Sequence, residues 1–310
     1  MAPVSPSWPP ARLSPDRPGA LTLPDGLRLH YRLWRPGPPR RTLVLIHGAA
    51  SNLTRFTEFL RHTPLKADWD ILRLDLRGHG GSPWRGRLTR ARCCADLQAV
   101  IGSLCRPPVV LVGHSLGAQV ALDCAHRRPG DIHGAVLIDP VFSQALAGTS
   151  RWLYRLRPLL RLLAEALRLL YRLGIRRRPR QRDLYAWDRA VRRWLRRGDH
   201  RAFVRRYASP WADLHYLPVA TYLDDILATL APPPPLGEVR QPLLVLAARH
   251  PTFTDPERTR QAVAALPEAE MRIVDAYHWP LTENPAATRA AIEDWLRRRF
   301  PAATGLDSVP

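Results

Sequence analysis

The stretch VVLVGHSLGAQVALDCAH, residues 109–126, decides the fold. Val109 to Val112 is a short apolar run rich in β-branched residues, the kind of segment buried on both faces of a parallel sheet. Leu116 to His126 follows with helical periodicity, and Leu116, Val120 and Cys124 share one face. No loop separates the two, so the chain must turn from strand to helix within a residue or two. Gly113 and Gly117 stand two residues on either side of Ser115 and remove side chains that would collide in such a turn. A serine held there is strained, its hydroxyl is exposed, and the N-terminus of the next helix points at it. A Gly-x-Ser-x-Gly pattern alone is weak. Placed between this strand and this helix, it makes Ser115 a candidate nucleophile.

The same form recurs outward from this point. ALTLPDGLRLHYRLWRPG (20–37) alternates around Asp25-Gly26, a hairpin signal. RTLVLIHGAAS (41–51) and WDILRLDLRGHGGS (69–82) are buried strands running into small-residue loops. IHGAVLIDP (132–140) is another strand, ending at Asp139. QPLLVLAARHP (241–251) and AEMRIVDAYHWP (269–280) supply two more. ARCCADLQAVIGSL, DPERTRQAVAAL and NPAATRAAIEDWLRRRF read as helices, the second with Asp255 as its N-cap. Strands alternating with helices predict an α/β fold, a mostly parallel, doubly wound sheet with helices on both faces. Ligands of such sheets bind beyond the carboxyl ends of the strands, where His47, Asp75, Ser115, Asp139, His250 and His278 gather.

Composition sets the limits. The chain has 310 residues, 45% of them hydrophobic, enough for a substantial core. Cys93, Cys94, Cys105 and Cys124 show no metal-type spacing, and a vicinal pair is a poor disulfide framework, which points to a reducing, cytoplasmic setting. Six prolines and no apolar core in the first twenty residues leave no secretory signal visible. No run of 18 apolar residues suggests a spanning helix. The formal charge is +20, and only Lys66 among the 47 basic residues is a lysine, a ratio that points as much to genome composition as to a partner. Residues 141–235 nonetheless carry 19 arginines against 7 acids. That block is a distinct unit.

A serine hydroxyl becomes a nucleophile when a base takes its proton, and a histidine oriented by an acid does this near neutral pH. His278 lies in a late loop after a strand, as the base does in the chain order serine, acid, histidine. In that order, LVLIHGAA, DLRGHGGS, GHSLG and YHWPLTENP resemble the α/β-hydrolase superfamily of lipases, esterases and related enzymes. The resemblance covers residues 20–140 and 236–300. It implies Ser115 as nucleophile, His278 as general base, an oxyanion hole from the amides of Ala49 and Leu116, and neither cofactor nor metal. The elbow serine argues against the branches that use an aspartate nucleophile.

One position departs from the family pattern. Members usually carry the acid after the sixth core strand, often as Arg-Asp-Pro, and here AARHP puts His250 in its place. Asp139, at the end of the preceding strand, is the favoured replacement. Asp255 is a second candidate, and a site without an acid is a third reading.

The resemblance also places a helical cap at 141–235, between a proline-rich leader (1–19, expected to be disordered), the core and a tail (301–310). In PLLRLLAEALRLLYRL (158–173), Arg161, Glu165, Arg168 and Arg172 form one narrow polar stripe on a wheel otherwise of leucine, alanine and tyrosine. Such a helix is either a buried cap element or an interfacial one, whose neighbouring IRRRPRQR would meet an anionic membrane surface. No recognition motif accompanies the arginines, so nucleic acid is not expected. The expected function is a serine hydrolase of a hydrophobic, lipid or long-chain carboxylic ester. The alternatives are a weakly catalytic or non-catalytic relative that binds a hydrophobic ligand or partner, and a carbon–carbon hydrolase or lyase using the same serine.

Overall fold

The computed structural model describes residues 16–174, 179–250 and 252–301. Its strands are β1 (Asp16–Thr22), β2 (Arg28–Trp34), β3 (Arg41–Ile46), β4 (Asp70–Leu74), β5 (Arg106–His114), β6 (Gly134–Ile138), β7 (Leu243–Ala248) and β8 (Ala269–Val274). They form one sheet in the order β1-β2-β4-β3-β5-β6-β7-β8. The β1–β2 hairpin is antiparallel and β2 pairs antiparallel with β4, while β3 to β8 run parallel. This is the α/β-hydrolase architecture.

The helices of the two outer layers are α1 (Thr57–His62), α2 (Arg90–Leu104) and α3 (Leu116–Arg127) before the basic block. The block between β6 and β7 holds α4 (Gly148–Arg155), α5 (Arg157–Arg172), α6 (Leu184–Arg196), α7 (His200–Tyr207), α8 (Pro210–Asp213) and α9 (Val219–Thr229). After it come α10 (Pro256–Ala264), α11 (Pro280–Glu283) and α12 (Pro285–Arg299).

Alternate residues of a strand point to opposite faces, and here both faces are buried. Val44, Ile46, Val109, Leu111 and Leu137 pack with α2, α3 and α10 in one core. Leu43, Leu45, Val110, Val112 and Val136 pack with Trp69, α1 and Trp295 of α12 in the other. Continuous apolar runs such as VVLV are therefore two-sided, and they hold the carboxyl ends of β5 and β6 rigidly beside each other.

Strand structure reaches into the segment that composition assigned to the leader. Residues 16–19, expected within a disordered leader, open β1, where Asp16 accepts hydrogen bonds from Arg32 (2.8 Å) and Arg73 (2.6 Å). Pro18 is tolerated because β1 is an edge strand, where a missing N–H need not break a ladder. Residues 1–15, Arg176 to Arg178 of the IRRRPRQR segment, and 302–310 lie outside the described residues.

Candidate active site

Ser115 alone separates β5 from α3, at φ 52° and ψ −115°. The turn closes so tightly that a Cβ on Gly113 would come within 2.2 Å of the Gly117 carbonyl oxygen. One on Gly117 would come equally close to that of Ile46. Three non-glycine residues among those described have positive φ: Ala50, Ser115 and Asp139. All three border one point at the carboxyl edge of the sheet, and strain concentrated this way is a mark of a functional site.

At that point the side chains form a chain of hydrogen bonds. The Ser115 hydroxyl donates to His278 Nε2 at 2.9 Å, and His278 Nδ1–H donates to Asp139 Oδ2 at 2.6 Å. The other carboxylate oxygen of Asp139 accepts from the Ala248 amide at 3.0 Å, so β7 fixes this carboxylate against the His278 ring. His278 is itself held on both sides. Glu283 accepts from the amides of Tyr277 and Trp279, each at 3.0 Å, and burial raises its pKa. His114 Nε2–H donates to the His278 carbonyl at 2.8 Å, and burial and the nearby His278 hold the His114 ring neutral, far below its usual pKa. The amides of Ala49 and Leu116 donate to no group among the described residues. Ala49 and Ser115 face the same cavity.

The other rim residues take different places. His250 is half-buried, bonded to Asp275 at 3.1 Å and packed on Tyr277. Asp255 caps α10, accepting from the Arg258 amide at 2.9 Å. Asp75 accepts from the amides of Leu53 and Gly81 and binds His30, which holds the glycine-rich loop. His47 accepts from the Leu76 amide at 3.0 Å and donates to the Gly48 carbonyl at 2.8 Å. Burial, together with His79, pushes its pKa down to about 3.

Sequence reasoning missed the groups that tie the insertion to this edge. Asp225 of α9 accepts from the Ala50 amide and binds His79, both at 2.9 Å, thereby supporting the loop that carries Ala49. Arg55 donates to Asp188 of α6, Tyr207 of α7 and Thr282, at 2.8 Å each, in a buried network. Adjacent acids in an otherwise apolar helix (YLDDIL) were the available signal for the first. An isolated arginine in a loop offered none for the second. Sheet and insertion together border a half-open cavity of about 270 Å³ over Ser115, with Val141, Leu153, Trp187, Ile226 and Phe253 among its walls.

A mostly parallel sheet with a serine at a strand-to-helix turn, and a histidine and an acid from later loops beside it, defines the α/β-hydrolase class. The alpha/beta hydrolase family model matches residues 43–291, and the chain belongs to that family. It is similar to lipase LipV of Mycobacterium tuberculosis, at 36% identity over 112 residues, covering 36% of this chain and 41% of that one. It is also similar to the sn-1-specific diacylglycerol lipase ABHD11 of Xenopus tropicalis, at 34% identity over 104 residues, 34% of this chain and 32% of that one. The chain thus spans less than half the length of the curated relatives it matches. Among solved structures, a thermophilic esterase from Thermogutta terrifontis aligns with TM-score 0.67 and 20% identity, over 91% of this chain and 99% of that one. A hydrolase from Pseudomonas aeruginosa aligns at 0.66 and 21%, over 90% and 98%. At those identities the likeness is one of fold.

Proposed function

We propose that the protein is a serine hydrolase that cleaves a hydrophobic carboxylic ester through an acyl-enzyme. The observation that carries this reading is the unbroken hydrogen-bond chain from Asp139 through His278 to Ser115 at the floor of an apolar cavity. His278 takes the Ser115 proton as Oγ attacks the ester carbonyl, and Asp139 stabilises the imidazolium that forms. The developing oxyanion is met by the amides of Ala49 and Leu116, the latter also at the positive end of α3. His278 then protonates the leaving alcohol, and a water activated the same way releases the acid.

The lipase names of the relatives and the apolar walls support a hydrophobic acyl group. The non-catalytic alternative rests on His250; the contact of His250 with Asp275 and that of His278 with Asp139 support the catalytic reading over it. The test is labelling with a serine-reactive fluorophosphonate alongside turnover of a soluble short-chain ester. Ser115→Ala is expected to abolish labelling and to lower turnover by roughly 10⁴–10⁶-fold with the unfolding midpoint kept. Turnover surviving within a factor of a few would overturn Ser115 as the nucleophile.

A further inference from the structure

Helix α5 is amphipathic in the reverse of the usual sense for a surface helix. The middle of its polar stripe turns toward the protein, while Arg161 and Arg172 at the two ends stay exposed. Arg168 is buried and pairs with Asp224 of α9 at 2.9 Å, and Glu165 pairs with Arg168 at 3.0 Å and with Arg87 of the core. Those contacts hold the carboxyl of Glu165 down at about 2. The opposite face, built from Leu159, Leu162, Leu163, Leu169, Leu170 and Leu173, is exposed, with Leu162 at 68% and Leu173 at 70%. Trp152 of α4, 65% exposed, and Leu156 between α4 and α5 extend the surface. Of the eleven large apolar side chains exposed among the described residues, these make eight, so the exposure is a local feature and not ordinary surface scatter.

From this geometry we infer that the α4–α5 surface docks on an anionic lipid membrane. The pair carries six arginines and a single acid, Glu165. Arg151, Arg155, Arg161 and Arg172 are exposed and have no partner among the described residues, so they are available to lipid headgroups while the leucines enter the acyl boundary. A second copy of the chain fits this surface less well, because apposing two such faces brings two sets of unpaired arginines together. Ser150 and Leu153 of α4 also line the cavity over Ser115, so the docked surface and the cavity share a wall. No helix among the described residues is long and apolar enough to cross a membrane.

The test is flotation of the full chain with vesicles of phosphatidylcholine, and of phosphatidylcholine mixed with phosphatidylglycerol, over a range of salt. The wild type is expected to float with the mixed vesicles at low salt, to bind the neutral ones weakly, and to be released from the mixed ones as salt rises. Two variants separate the contributions, and all their substitutions are on exposed side chains, so unchanged thermal midpoints serve as the fold control without reference to activity. Leu162→Gln, Leu169→Gln and Leu173→Gln together should remove binding to both vesicle types. Arg151→Gln, Arg155→Gln and Arg161→Gln together should lower the partition onto mixed vesicles by roughly a hundredfold while leaving the weak neutral binding. No flotation at low salt, equal binding to neutral and mixed vesicles, or binding unchanged in the leucine variant would overturn the inference. So would a concentration-dependent dimer that the leucine variant abolishes, since that would make the face a contact between copies.

Discussion

Asp139 sits at φ 44°, a left-handed conformation that an aspartate tolerates better than most residues, and this turn is what carries its carboxylate from β6 to His278. Replacing it by asparagine preserves shape and removes the charge that, in the proposed mechanism, orients and stabilises the imidazolium. Asp139→Asn is therefore expected to lower turnover of a soluble ester by roughly 10⁴. Asp255→Asn should leave turnover intact and cost at most about 1 kcal/mol of stability, because its side chain caps α10. Steady-state kinetics and thermal midpoints on both variants check this, and the reverse pattern would move the acid to Asp255. Ser115 and His278 were legible in the sequence because local patterns mark them, the glycine-flanked turn and the late histidine loop. Asp139 was only the favoured one of three readings for the acid, since nothing local distinguishes an aspartate that reaches across to another loop from one that caps a helix. Glu283 and His114, which position His278 through its backbone, were hidden for the same reason.

At the scale of elements, the turn between β5 and α3 works only because the backbone of α3 lies against that of β3. A methyl group on Gly117 would meet the Ile46 and His47 carbonyl oxygens at 2.2 and 2.6 Å, and neither atom is at the end of a flexible side chain. Gly117→Ala must therefore push α3 off the sheet. We expect a loss of about 1–3 kcal/mol by chemical denaturation, together with loss of fluorophosphonate labelling as the serine shifts from His278. Retained labelling at wild-type stability would show that the packing is looser than these distances imply. The strands, their parallel order and the helices of the core were readable because two-sided burial writes continuous apolar runs. The orientation of α5 was not. A helical wheel separates the two faces, but which one turns inward depends on Asp224 and Arg87, which lie far from α5 in the chain.

Across the whole molecule, stability against pH is set by buried groups acting in opposite directions. His47, at about 3, and His114, well below its usual value, cannot take up protons in the folded protein that the unfolded chain binds below about 6.5. Their contribution is present above that pH and is lost as pH falls. Asp213 runs the other way. Burial within the helical insertion raises it from 3.8 to about 6, and the Arg182 guanidinium at 3.1 Å offsets only part of that rise. Its contribution is present below 3.8 and is lost as pH climbs through about 6, because the unfolded chain gives up that proton first. Asp213→Asn removes this opposing contribution and leaves the histidines untouched; the loss of Arg182's partner shifts stability by an amount that varies little with pH. Between pH 3.8 and about 6, the thermal midpoint of the variant should therefore climb more steeply with pH than that of the wild type, and the two curves should run parallel above about 7. Parallel curves throughout would show that the Asp213 carboxyl titrates like an exposed one and is not buried among the helices of the insertion.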